Sequence, residues 1–416
     1  MSNKIKIFVS SYACEPGKGS EIGVGWHWVL EMSKYFELWV LTRANNKEPI
    51  ENYFKEHKED EHGIHWIYYD CPDWIKKHKH QMKGVRTYYT LWQRLSNNLV
   101  KETMQKNNIE IYHLLTYGNA IWNVSSYGQK RFFIWGPTGG MDTIPLDYSK
   151  HYAFKYRIIE AVRRSVVWYQ RKISISFRRK CKNANLIFCK AYSMYNAIPE
   201  KYRNKATLFT DVAMEEVNNT YNNTTDRTDI NQLTYITVGR LDGWRGFDLL
   251  IEAFDGAMLI NNNIKLKIIG EGIEEQHLKK MVKDKGLENN IIFTGQISMN
   301  EYRNEMKNCD VVLNACLKEG GVTNAFDCMT YGKPLICLDT GGYTRNFDDS
   351  CAIILTKENR AKTIKKIQDA IVKSFDSDLR VKLSDGMKQK GDKISWTIKG
   401  QDIRNEILKA WENNKK

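Results

Sequence analysis

The alternation of short apolar runs with amphipathic segments constrains this chain more than any other feature of its sequence. Residues 4–12, KIKIFVSSY, have the character of a buried strand, and a glycine-rich stretch, the helical segment WHWVLEMSKYF and a second strand-like run, ELWVLT, follow them. Further strand-like runs occur at 64–69, 109–115, 132–135 and 185–189. Strands that alternate with helices form parallel sheets covered on both faces, so the first half is predicted to be a doubly wound α/β domain.

A polar segment rich in Asn and Thr, between Glu215 and Gln232, interrupts this pattern and is predicted to be a linker or an exposed loop. The alternation then restarts with the runs TYITVG, KLKIIG, NIIFTG, DVVLNA and PLICLD, and two or three helices follow from Asn359 onward. We therefore expect an N-terminal Rossmann-like domain at 1–205, a second one at 206–395, and a final helix at 396–416 that packs back on the N-terminal domain. Two such domains would face each other across a cleft, and ligands should bind there.

Composition narrows the classes of protein that fit this pattern. The nine cysteines include no CxxC pair and no Cys/His cluster at zinc spacing, which is typical of reduced thiols and predicts neither a disulfide nor a bound metal. There is no apolar run of about 18 residues, so we expect a cytoplasmic protein without a membrane-spanning helix. The net charge of +14 favours acidic partners, namely nucleic acid, an anionic lipid surface or a phosphorylated substrate.

One motif in the second half combines two acidic residues with a glycine pair. In LKEGGVTNAFDCMTYGKPLICLDTGG, Glu319 and Asp327 are eight residues apart around a predicted helix start. The backbone N–H groups of residues 320–323 (Gly320, Gly321, Val322 and Thr323) would face an anion such as a diphosphate, and the helix dipole would add to the attraction. The two acids could then accept hydrogen bonds from sugar and ribose hydroxyls. The alternative is a strand–turn–helix whose acids only cap the helix and lie on its solvated face.

A second motif, VGRLDGWRGFDLL, places two arginines around a loop between a strand and a helix. The strand ends at Gly239, and Arg240 and Arg245 flank the loop. Two fixed guanidinium groups could stabilise the charge that develops on a departing diphosphate when a glycosyl bond breaks. Two ordinary surface arginines are the alternative.

Together these segments resemble the nucleotide-sugar glycosyltransferases of the large retaining family with the GT-B fold, commonly called family 4. The resemblance covers nearly the whole chain and depends on VGRLDGWRGFDLLIEAF, KIIGEGIEEQHLKKMV, IIFTGQIS and KEGGVTNAFDCMTYGKPLICLDTGG, in the family's order and spacing. In the first half, SYACEPGKGSEIGVGWHW, YHLLTYGN and FIWGPTGGMD resemble one bacterial subgroup of that family. The donor would then bind the second domain and the acceptor the first.

The resemblance implies roles for the two motifs of the second half. Arg240 and Arg245 would clamp the diphosphate, with Arg245 where the family usually has lysine. Glu319 would lie near the donor sugar and Asp327 near the ribose, where the family usually has a second Glu. The family's Gly-Phe-Gly is replaced by Gly320-Gly321-Val322, and backbone groups of Ile297, in the loop 295–298, would bind the base.

In the first half, the resemblance and the glycine spacing predict contacts with donor and acceptor. Gly17, Gly19 and Gly23 follow the first strand, where backbone can approach a phosphate or sugar closely, and we assign Gly19 to the donor and Gly17 to the acceptor. Glu21 either contacts the acceptor or is merely exposed. An NAD site is disfavoured because the second strand ends in LTRAN, without the acid that a dinucleotide-binding site needs.

The later loops of the first half supply three more candidates. His113 matches the family's histidine under the donor sugar, whereas without the resemblance it would be a hydrogen-bonded histidine within a sheet. Gly139 and Gly140, in GPTGGMD with Asp142 nearby, are predicted to shape the acceptor site.

A basic amphipathic helix is predicted over about 155–182, within the segment KHYAFKYRIIEAVRRSVVWYQRKISISFRRKCK. One apolar stripe repeats at steps of three and four, and basic residues occupy the rest of the circumference: Ile158, Val162, Val166, Tyr169, Ile173 and Phe177 form the stripe, and Arg157, Arg163, Arg164, Arg171, Lys172, Arg178 and Arg179 surround it. Such a helix could lie on an anionic leaflet, with the basic and aromatic stretch 82–101 on the same face. The alternative is a core-packing helix with a solvated basic back.

The resemblance therefore implies a retaining hexosyltransferase-type enzyme. It would move a sugar from a nucleotide diphosphate sugar, with UDP preferred, to a glycan acceptor, plausibly lipid-linked, in bacterial surface polysaccharide synthesis. We expect no cofactor and no metal, and a peripheral position on the inner face of the plasma membrane. The alternatives are an inactive membrane-surface or nucleic-acid binding protein on the same scaffold, or a nucleotide-sugar epimerase.

Overall fold

The computed structural model describes residues 4–77, 84–215, 232–318 and 323–415. The chain forms two compact units: the first consists of Met1–Met141, Trp168–Asp211 and Trp396–Lys416, and the second of Asp142–Val167 and Val212–Ser395. The segment Asp142–Val167, which the sequence analysis places in the N-terminal domain, therefore has its contacts in the second unit.

The strands and helices of the described residues follow the alternation that the sequence predicts. The strands are β1 Lys6–Ser10, β2 Glu37–Thr42, β3 Ile64–Tyr68, β4 Ile111–Leu114, β5 Phe132–Thr138, β6 Ala184–Cys189, β7 Ala206–Leu208, β8 Leu233–Val238, β9 Ile264–Ile269, β10 Ile291–Gly295, β11 Val311–Asn314, β12 Leu335–Leu338 and β13 Ala352–Leu355. The α-helices are α1 Ser20–Ser33, α2 Lys47–Glu56, α3 Asp73–Lys76, α4 Val85–Leu95, α5 Asn97–Lys106, α6 Leu146–Ser149, α7 Phe154–Lys172, α8 Ile175–Asn183, α9 Tyr192–Ala197, α10 Phe247–Met258, α11 Glu275–Asp284, α12 Met299–Asn308, α13 Thr323–Tyr331, α14 Arg360–Lys373, α15 Ser377–Gly391 and α16 Trp396–Lys415.

Among the described residues each unit contains one parallel sheet, and the two strand orders agree except for one additional edge strand, β7, in the first. The order is β3-β2-β1-β4-β5-β6-β7 in the first unit and β10-β9-β8-β11-β12-β13 in the second. Every strand pairing is parallel, which confirms the two predicted doubly wound Rossmann-like sheets. In such sheets the strand order reverses beside the first strand, and ligands bind at the carboxyl ends of the strands at that point. The candidate ligand-binding positions are therefore the loops after β1 and β4, and those after β8 and β11.

The core of the first unit is rich in aromatic side chains. Trp28 on α1 is fully buried and donates from Nε1 to the backbone oxygen of Asp211 at 2.9 Å. The ring of Trp396, at the start of α16, stacks on His27 with ring centroids 4.7 Å apart. In the predicted basic and aromatic stretch 82–101, Tyr89 and Trp92 on α4 are buried, so these aromatic rings belong to the core.

The second unit is completed by the segment Asp142–Val167. Tyr148, Tyr152 and Tyr156 are buried in the same hydrophobic cluster as the residues of the second sheet. The hydroxyl of Tyr148 donates to the backbone oxygen of Glu358 at 2.8 Å. A Cβ atom on Gly243 would lie 2.8 Å from the Tyr152 ring, so this packing is close.

The single basic helix predicted over about 155–182 is two helices, α7 and α8. The chain leaves helical geometry between them, and the Oγ atom of Ser174 accepts a hydrogen bond from the backbone N–H of Phe177 at 3.2 Å. Serine side chains stabilise helix N-termini in this way, so Ser174 begins a second helix instead of continuing the first. Within the described ranges, no helix has the length and apolar character needed to cross a bilayer.

Candidate active site

Glycine residues bring the loops of the second unit together at the point where its strand order reverses. Gly239 follows β8 with φ 151°, and Gly270 follows β9 with φ 130°. A Cβ atom on Gly270 would lie 2.2 Å from the backbone oxygen of Gly239, and one on Gly246 would lie 2.2 Å from that of Ala315 after β11. Only glycine permits approaches this close, so the loops after β8, β9 and β11 form one compact group.

Arg245 is a partly buried cation within this group of loops. Its guanidinium carbon lies 4.3 Å from the centroid of the Trp244 ring, and its Nη1 atom lies 3.6 Å from the sulfur of Cys316. Its Nε atom is buried without a hydrogen-bond partner, and among the described residues no carboxylate lies within ion-pair distance of it. A buried charge without a partner is costly, so this position favours an anionic ligand.

Arg240 differs from Arg245 because an acidic side chain already neutralises it. Its Nη2 and Nε atoms lie 2.6 Å and 2.7 Å from Oδ2 of Asp242. The same carboxylate oxygen accepts a hydrogen bond from Trp244 Nε1 at 3.1 Å. Of the two predicted clamp residues, Arg245 is therefore the one whose charge is available, and Arg240 would have to exchange Asp242 for a ligand.

Lys318 is a second cation near Trp244, and the sequence analysis missed it. Its Nζ atom is 5.2 Å from the centroid of the Trp244 ring and 3.6 Å from Oε2 of Glu160, and the residue is 5 % exposed. Burial, together with the positive charge of Arg163, lowers the pKa of Lys318 to about 8. The signal in the sequence was the basic residue directly before Glu319, in LKEGG.

Asp327 lies on α13 and is hydrogen-bonded to a neighbouring helix. The hydroxyl of Tyr302 on α12 donates to Oδ2 of Asp327 at 2.5 Å. Burial raises the pKa of Asp327 to about 7, although the hydrogen bond from Tyr302 opposes this shift. Tyr302 was not singled out from the sequence, because a tyrosine on a helix of mostly exposed polar residues gives no signal of its own.

The acidic motif leads into the start of α13. Thr323 is the first residue of α13, so the predicted helix start is confirmed. Glu319, Gly320, Gly321 and Val322 lie outside the described residues. Their predicted contacts with a donor sugar and a diphosphate stay predictions.

The predicted base-binding loop follows β10. Gly295 has φ 70°, and its backbone oxygen accepts a hydrogen bond from the N–H of Gly270 at 2.9 Å. Ile297 is partly buried and directly precedes Ser298, whose side chain forms a capping box with Glu301 at the start of α12. The capping box fixes the end of this loop, and the contact of Ile297 with a base stays a prediction.

In the first unit, the predicted glycine loop begins after β1. Gly17 has φ 67°, with open space where a side chain would be, and Gly19 is the N-cap of α1. Glu21, in the first turn of α1, is partly buried and accepts a hydrogen bond from the backbone N–H of Tyr117 at 2.6 Å. Glu21 thus holds the loop after β4, and it is not a merely exposed side chain.

Gly139 and Gly140 lie in the loop after β5, next to Asn119 in the loop after β4. Gly140 has φ 91°, and a Cβ atom there would lie 2.4 Å from the side-chain amide of Asn119. The backbone of Asn119 forms an isolated parallel bridge with Gly139. The loops after β4 and β5 are therefore in contact, and their role toward an acceptor stays a prediction.

His113, on β4, is fully buried in the first sheet. Its Nε2 atom lies 2.6 Å from the backbone oxygen of Gly136, and its Nδ1 atom has no hydrogen-bond partner among the residues described. Burial lowers the pKa of His113 to about 4, so the ring is neutral at physiological pH. Its proton is on Nε2, which donates a hydrogen bond to the backbone oxygen of Gly136. The structure thus has the hydrogen-bonded sheet histidine, and the predicted contact of this ring with a sugar is not tested by it.

The described residues contain neither a disulfide nor a group of side chains suited to a metal ion. All nine cysteines are buried, and none of them forms a disulfide. Within the described ranges, no three residues among His, Cys, Asp and Glu are grouped so that they could hold a metal ion. The expectation of a reaction without metal therefore stays an expectation.

Comparison with known proteins gives a family match for the part of the chain that contains Arg245 and Asp327. Residues 225–390 match the family model described as "Glycosyl transferases group 1". This part of the chain is therefore similar to glycosyl transferases of group 1. The matched part includes the loops after β8, β9 and β11 and the helix α13, which are the elements described above for the second unit.

Two curated relatives each match about a third of the chain. An uncharacterized glycosyltransferase of Methanocaldococcus jannaschii is 28 % identical over 138 residues, which is 33 % of this chain and 35 % of that protein. An N-acetylgalactosaminyltransferase of Campylobacter jejuni that acts on a diphospho-undecaprenol-linked saccharide is 26 % identical over 126 residues, 30 % of this chain and 33 % of that protein. The chain thus spans about a third of the length of the curated relatives it matches.

Solved structures show the fold of the whole chain. The lipopolysaccharide outer core galactosyltransferase WaaB, in its apo form, has a TM-score of 0.61 at 12 % identity and covers 97 % of this chain and 99 % of its own. HepE of Anabaena, in complex with UDP and glucose, has a TM-score of 0.58 at 13 % identity, with 97 % and 100 % covered. The predicted GT-B fold is confirmed, and the matches support the superfamily of GT-B glycosyltransferases. Membership of family 4 and of its bacterial subgroup stays a prediction.

Proposed function

We propose that the protein is a retaining glycosyltransferase. It transfers a sugar from a nucleotide diphosphate sugar, with UDP as the nucleotide, to a hydroxyl of a lipid-linked glycan. The product would be an intermediate in the synthesis of a bacterial surface polysaccharide. One observation carries most weight: Arg245 is a partly buried cation without a carboxylate partner among the described residues, at the carboxyl end of β8. The glycosyl transferases group 1 match of the same segment and the sequence resemblance agree with this assignment.

The choice of donor and acceptor is supported by what similar proteins bind or act on. HepE of Anabaena was solved with UDP and with UDP-glucose. The Campylobacter relative transfers a sugar to a saccharide on diphospho-undecaprenol, and WaaG takes part in lipopolysaccharide biosynthesis. These names favour a UDP-sugar donor and a lipid-linked acceptor.

In the proposed mechanism, the chain supplies positive charge where the leaving diphosphate gains negative charge. Arg245 and the N-terminus of α13 would bind the phosphate oxygens, and the buried ammonium of Lys318 would strengthen the field around them. Such groups stabilise a transition state most when they are fixed before the reaction, and the cation–π contacts with Trp244 fix both side chains. The proposal needs no metal ion, because guanidinium, ammonium and helix dipole can supply this charge.

The other predicted residues complete the proposed site. Asp327 would accept hydrogen bonds from the ribose hydroxyls, and the loop with Ile297 would bind the base. Glu319 would face the donor sugar. The acceptor hydroxyl would attack the anomeric carbon from the same face that the diphosphate leaves, and the leaving phosphate would take the proton of that hydroxyl. Exclusion of water from the site would prevent hydrolysis of the donor.

The direct test is a transfer assay with purified protein, a panel of UDP-hexoses and UDP-N-acetylhexosamines, and undecaprenyl-diphosphate-linked sugar as acceptor. We expect release of UDP that depends on the acceptor, with the anomeric configuration of the donor retained in the product. Release of an epimerised sugar nucleotide without acceptor would instead identify an epimerase. Absence of both reactions, and of thermal protection by UDP and GDP, would identify a scaffold without activity.

Arg245→Ala tests the observation on which the proposal depends. Loss of one fixed hydrogen-bond donor that faces the charge developing in the transition state lowers turnover by about a hundredfold or more. Arg380→Ala is the matched control, because Arg380 also lacks an acidic partner among the described residues but donates to the backbone oxygens of Ser374 and Phe375 at the end of α14. Full activity of Arg245→Ala, or an equal loss in both variants, would contradict the assignment of the diphosphate site.

A further inference from the structure

The helix α7 presents a long apolar stripe to the solvent. Phe154 is 75 % exposed, Ile158 50 % and Val162 58 %, and Val166, Tyr169 and Ile173 continue the same stripe at helical spacing. The sequence analysis assigns five of these residues, all except Phe154, to one face. It also assigns Phe177 to that face, but Phe177 lies on α8 and is buried. Aligned apolar side chains that are exposed over five turns are unusual for a protein without a partner at that surface.

The outward orientation of this stripe is fixed by the opposite face of α7. Its buried residues are Tyr156, Glu160 and Val167. The carboxylate of Glu160 accepts a hydrogen bond from the backbone N–H of Ile144 at 3.4 Å and lies 3.6 Å from Nζ of Lys318. Rotation of the helix that buried the apolar stripe would expose the tyrosine and break these contacts, so the stripe cannot be an alternative core face.

The charges around the stripe have one sign. Lys155, Arg157 and Lys172 are exposed, and within the described ranges none of them has a carboxylate at ion-pair distance. Glu160 is the one acidic residue of α7, and it is buried. An exposed apolar stripe with basic residues along it is typical of helices that lie in the plane of a membrane interface.

We propose that α7 docks the protein on an anionic lipid bilayer. The α7 surface consists of Phe154, Ile158, Val162, Val166, Tyr169 and Ile173 with Lys155, Arg157 and Lys172. The aliphatic and aromatic side chains enter the boundary between headgroups and acyl chains, and the basic side chains contact the lipid phosphates.

Two other occupants fit these observations less well. A second copy of the chain would place basic rims against each other, and like charges at an interface oppose association. Nucleic acid would match the charge but would leave the aliphatic stripe without a partner, since phosphates and sugars contact mainly polar groups. The docking requires no glycosyl transfer, although it would bring the protein to the lipid-linked acceptor if the proposed function holds.

The test is sedimentation of the full chain with vesicles of phosphatidylcholine alone and of equal parts phosphatidylcholine and phosphatidylglycerol. We expect salt-sensitive binding to the anionic vesicles and little to the neutral ones. The double variant Ile158→Ser, Val162→Ser should weaken this binding about tenfold or more, because several buried CH₂ and CH₃ groups are lost. Lys155→Glu, Arg157→Glu should weaken it by a similar factor or more, through loss of attraction to anionic lipid.

Matched controls keep the same chemistry at other exposed positions. Leu259→Ser, Ile260→Ser changes two side chains that are 88 % and 62 % exposed beyond the end of α10. Lys283→Glu, Lys382→Glu changes net charge by the same amount as the α7 charge variant, at two exposed lysines. Both controls should bind vesicles like the wild type, and melting temperatures should be unchanged in all four variants, since every altered side chain is exposed.

Several results would overturn the proposal. They are equal binding to neutral and anionic vesicles, no binding by the wild type, and α7 variants that bind as well as their controls. If Ile158→Ser, Val162→Ser lowers the sedimentation coefficient without vesicles, the surface is a contact between copies of the chain. If the α7 charge variant loses retention of an oligonucleotide while vesicle binding is unaffected, the surface binds nucleic acid.

Discussion

Replacement of Arg245 by alanine should separate ligand binding from stability. Among the described residues Arg245 has no ion pair to lose, and the cation–π contact with Trp244 that disappears is worth about 0.5–2 kcal/mol. Removal of a partly buried charge without an acidic partner returns about 1–3 kcal/mol of desolvation cost. These two contributions oppose each other, so the free energy of unfolding without ligand should change by less than about 1 kcal/mol.

The affinity for UDP should fall much more than the stability. A hydrogen bond between charged groups contributes about 1.5–3 kcal/mol, so the dissociation constant for UDP should rise about 30-fold. Uridine lacks the diphosphate, and its affinity should be unchanged. Calorimetric titration with both ligands and chemical denaturation of the same preparations measure the two effects.

Arg360→Ala is the control with the opposite pattern. Arg360 is buried and pairs with Asp248 at 2.8 Å and with Glu252 at 2.7 Å. Breaking a buried ion pair from one side costs about 3–5 kcal/mol, because the other charge remains without a partner. The reasoning about Arg245 is refuted if its alanine variant loses as much stability as Arg360→Ala, or if UDP and uridine lose affinity equally.

Three predictions concern pH. The carboxyl of Asp327 is protonated below about pH 7, so UDP affinity should rise as the pH increases through that value, and titrations of Asp327→Asn should lack the rise. The ammonium of Lys318 loses its proton above about pH 8, so the UDP affinity of the wild type should fall as the pH increases through that value. Calorimetric titrations of Lys318→Met with UDP over the same pH range should show no such fall. For His113, the pKa in the folded state, about 4, is below the unfolded value of about 6.5, so the unfolded state binds more protons between these values and the free energy of unfolding decreases as the pH falls. Denaturation of His113→Asn across this range should show a smaller slope, and an unchanged slope would contradict the buried neutral ring.

The fold was predictable from the sequence because its pattern repeats and is local. Parallel strands buried on both faces appear as short continuous apolar runs, and the helices between them have their own period. The strands β7 and β13 were missed: β7 is three residues long, and both lie at the edge of a sheet and are partly exposed, so their apolar signal is weak.

Contacts between distant residues explain what the sequence could not predict. Periodicity shows that α7 has an apolar stripe, but it does not show which face is covered, and here Tyr156 and Val167 are covered instead. The motif shows that Asp327 is on a helix, but its hydrogen bond from Tyr302 depends on the packing of α12 against α13. Sequence reasoning also assigned equivalent roles to Arg240 and Arg245. In the structure Asp242 neutralises Arg240, and no described carboxylate neutralises Arg245.

The path of the chain limits how this protein can be divided into fragments. Because the segment Asp142–Val167 belongs to the second unit and Trp396–Lys416 to the first, no single cut separates the two. A fragment that ends at residue 205 would lack α16, whose Trp396 stacks on His27, and would leave Tyr148, Tyr152 and Tyr156 without the core that encloses them. Either half expressed alone should therefore aggregate. A soluble fragment of one unit would need all the segments of that unit joined in one chain: Asp142–Val167 for the second unit, and Trp396–Lys416 for the first.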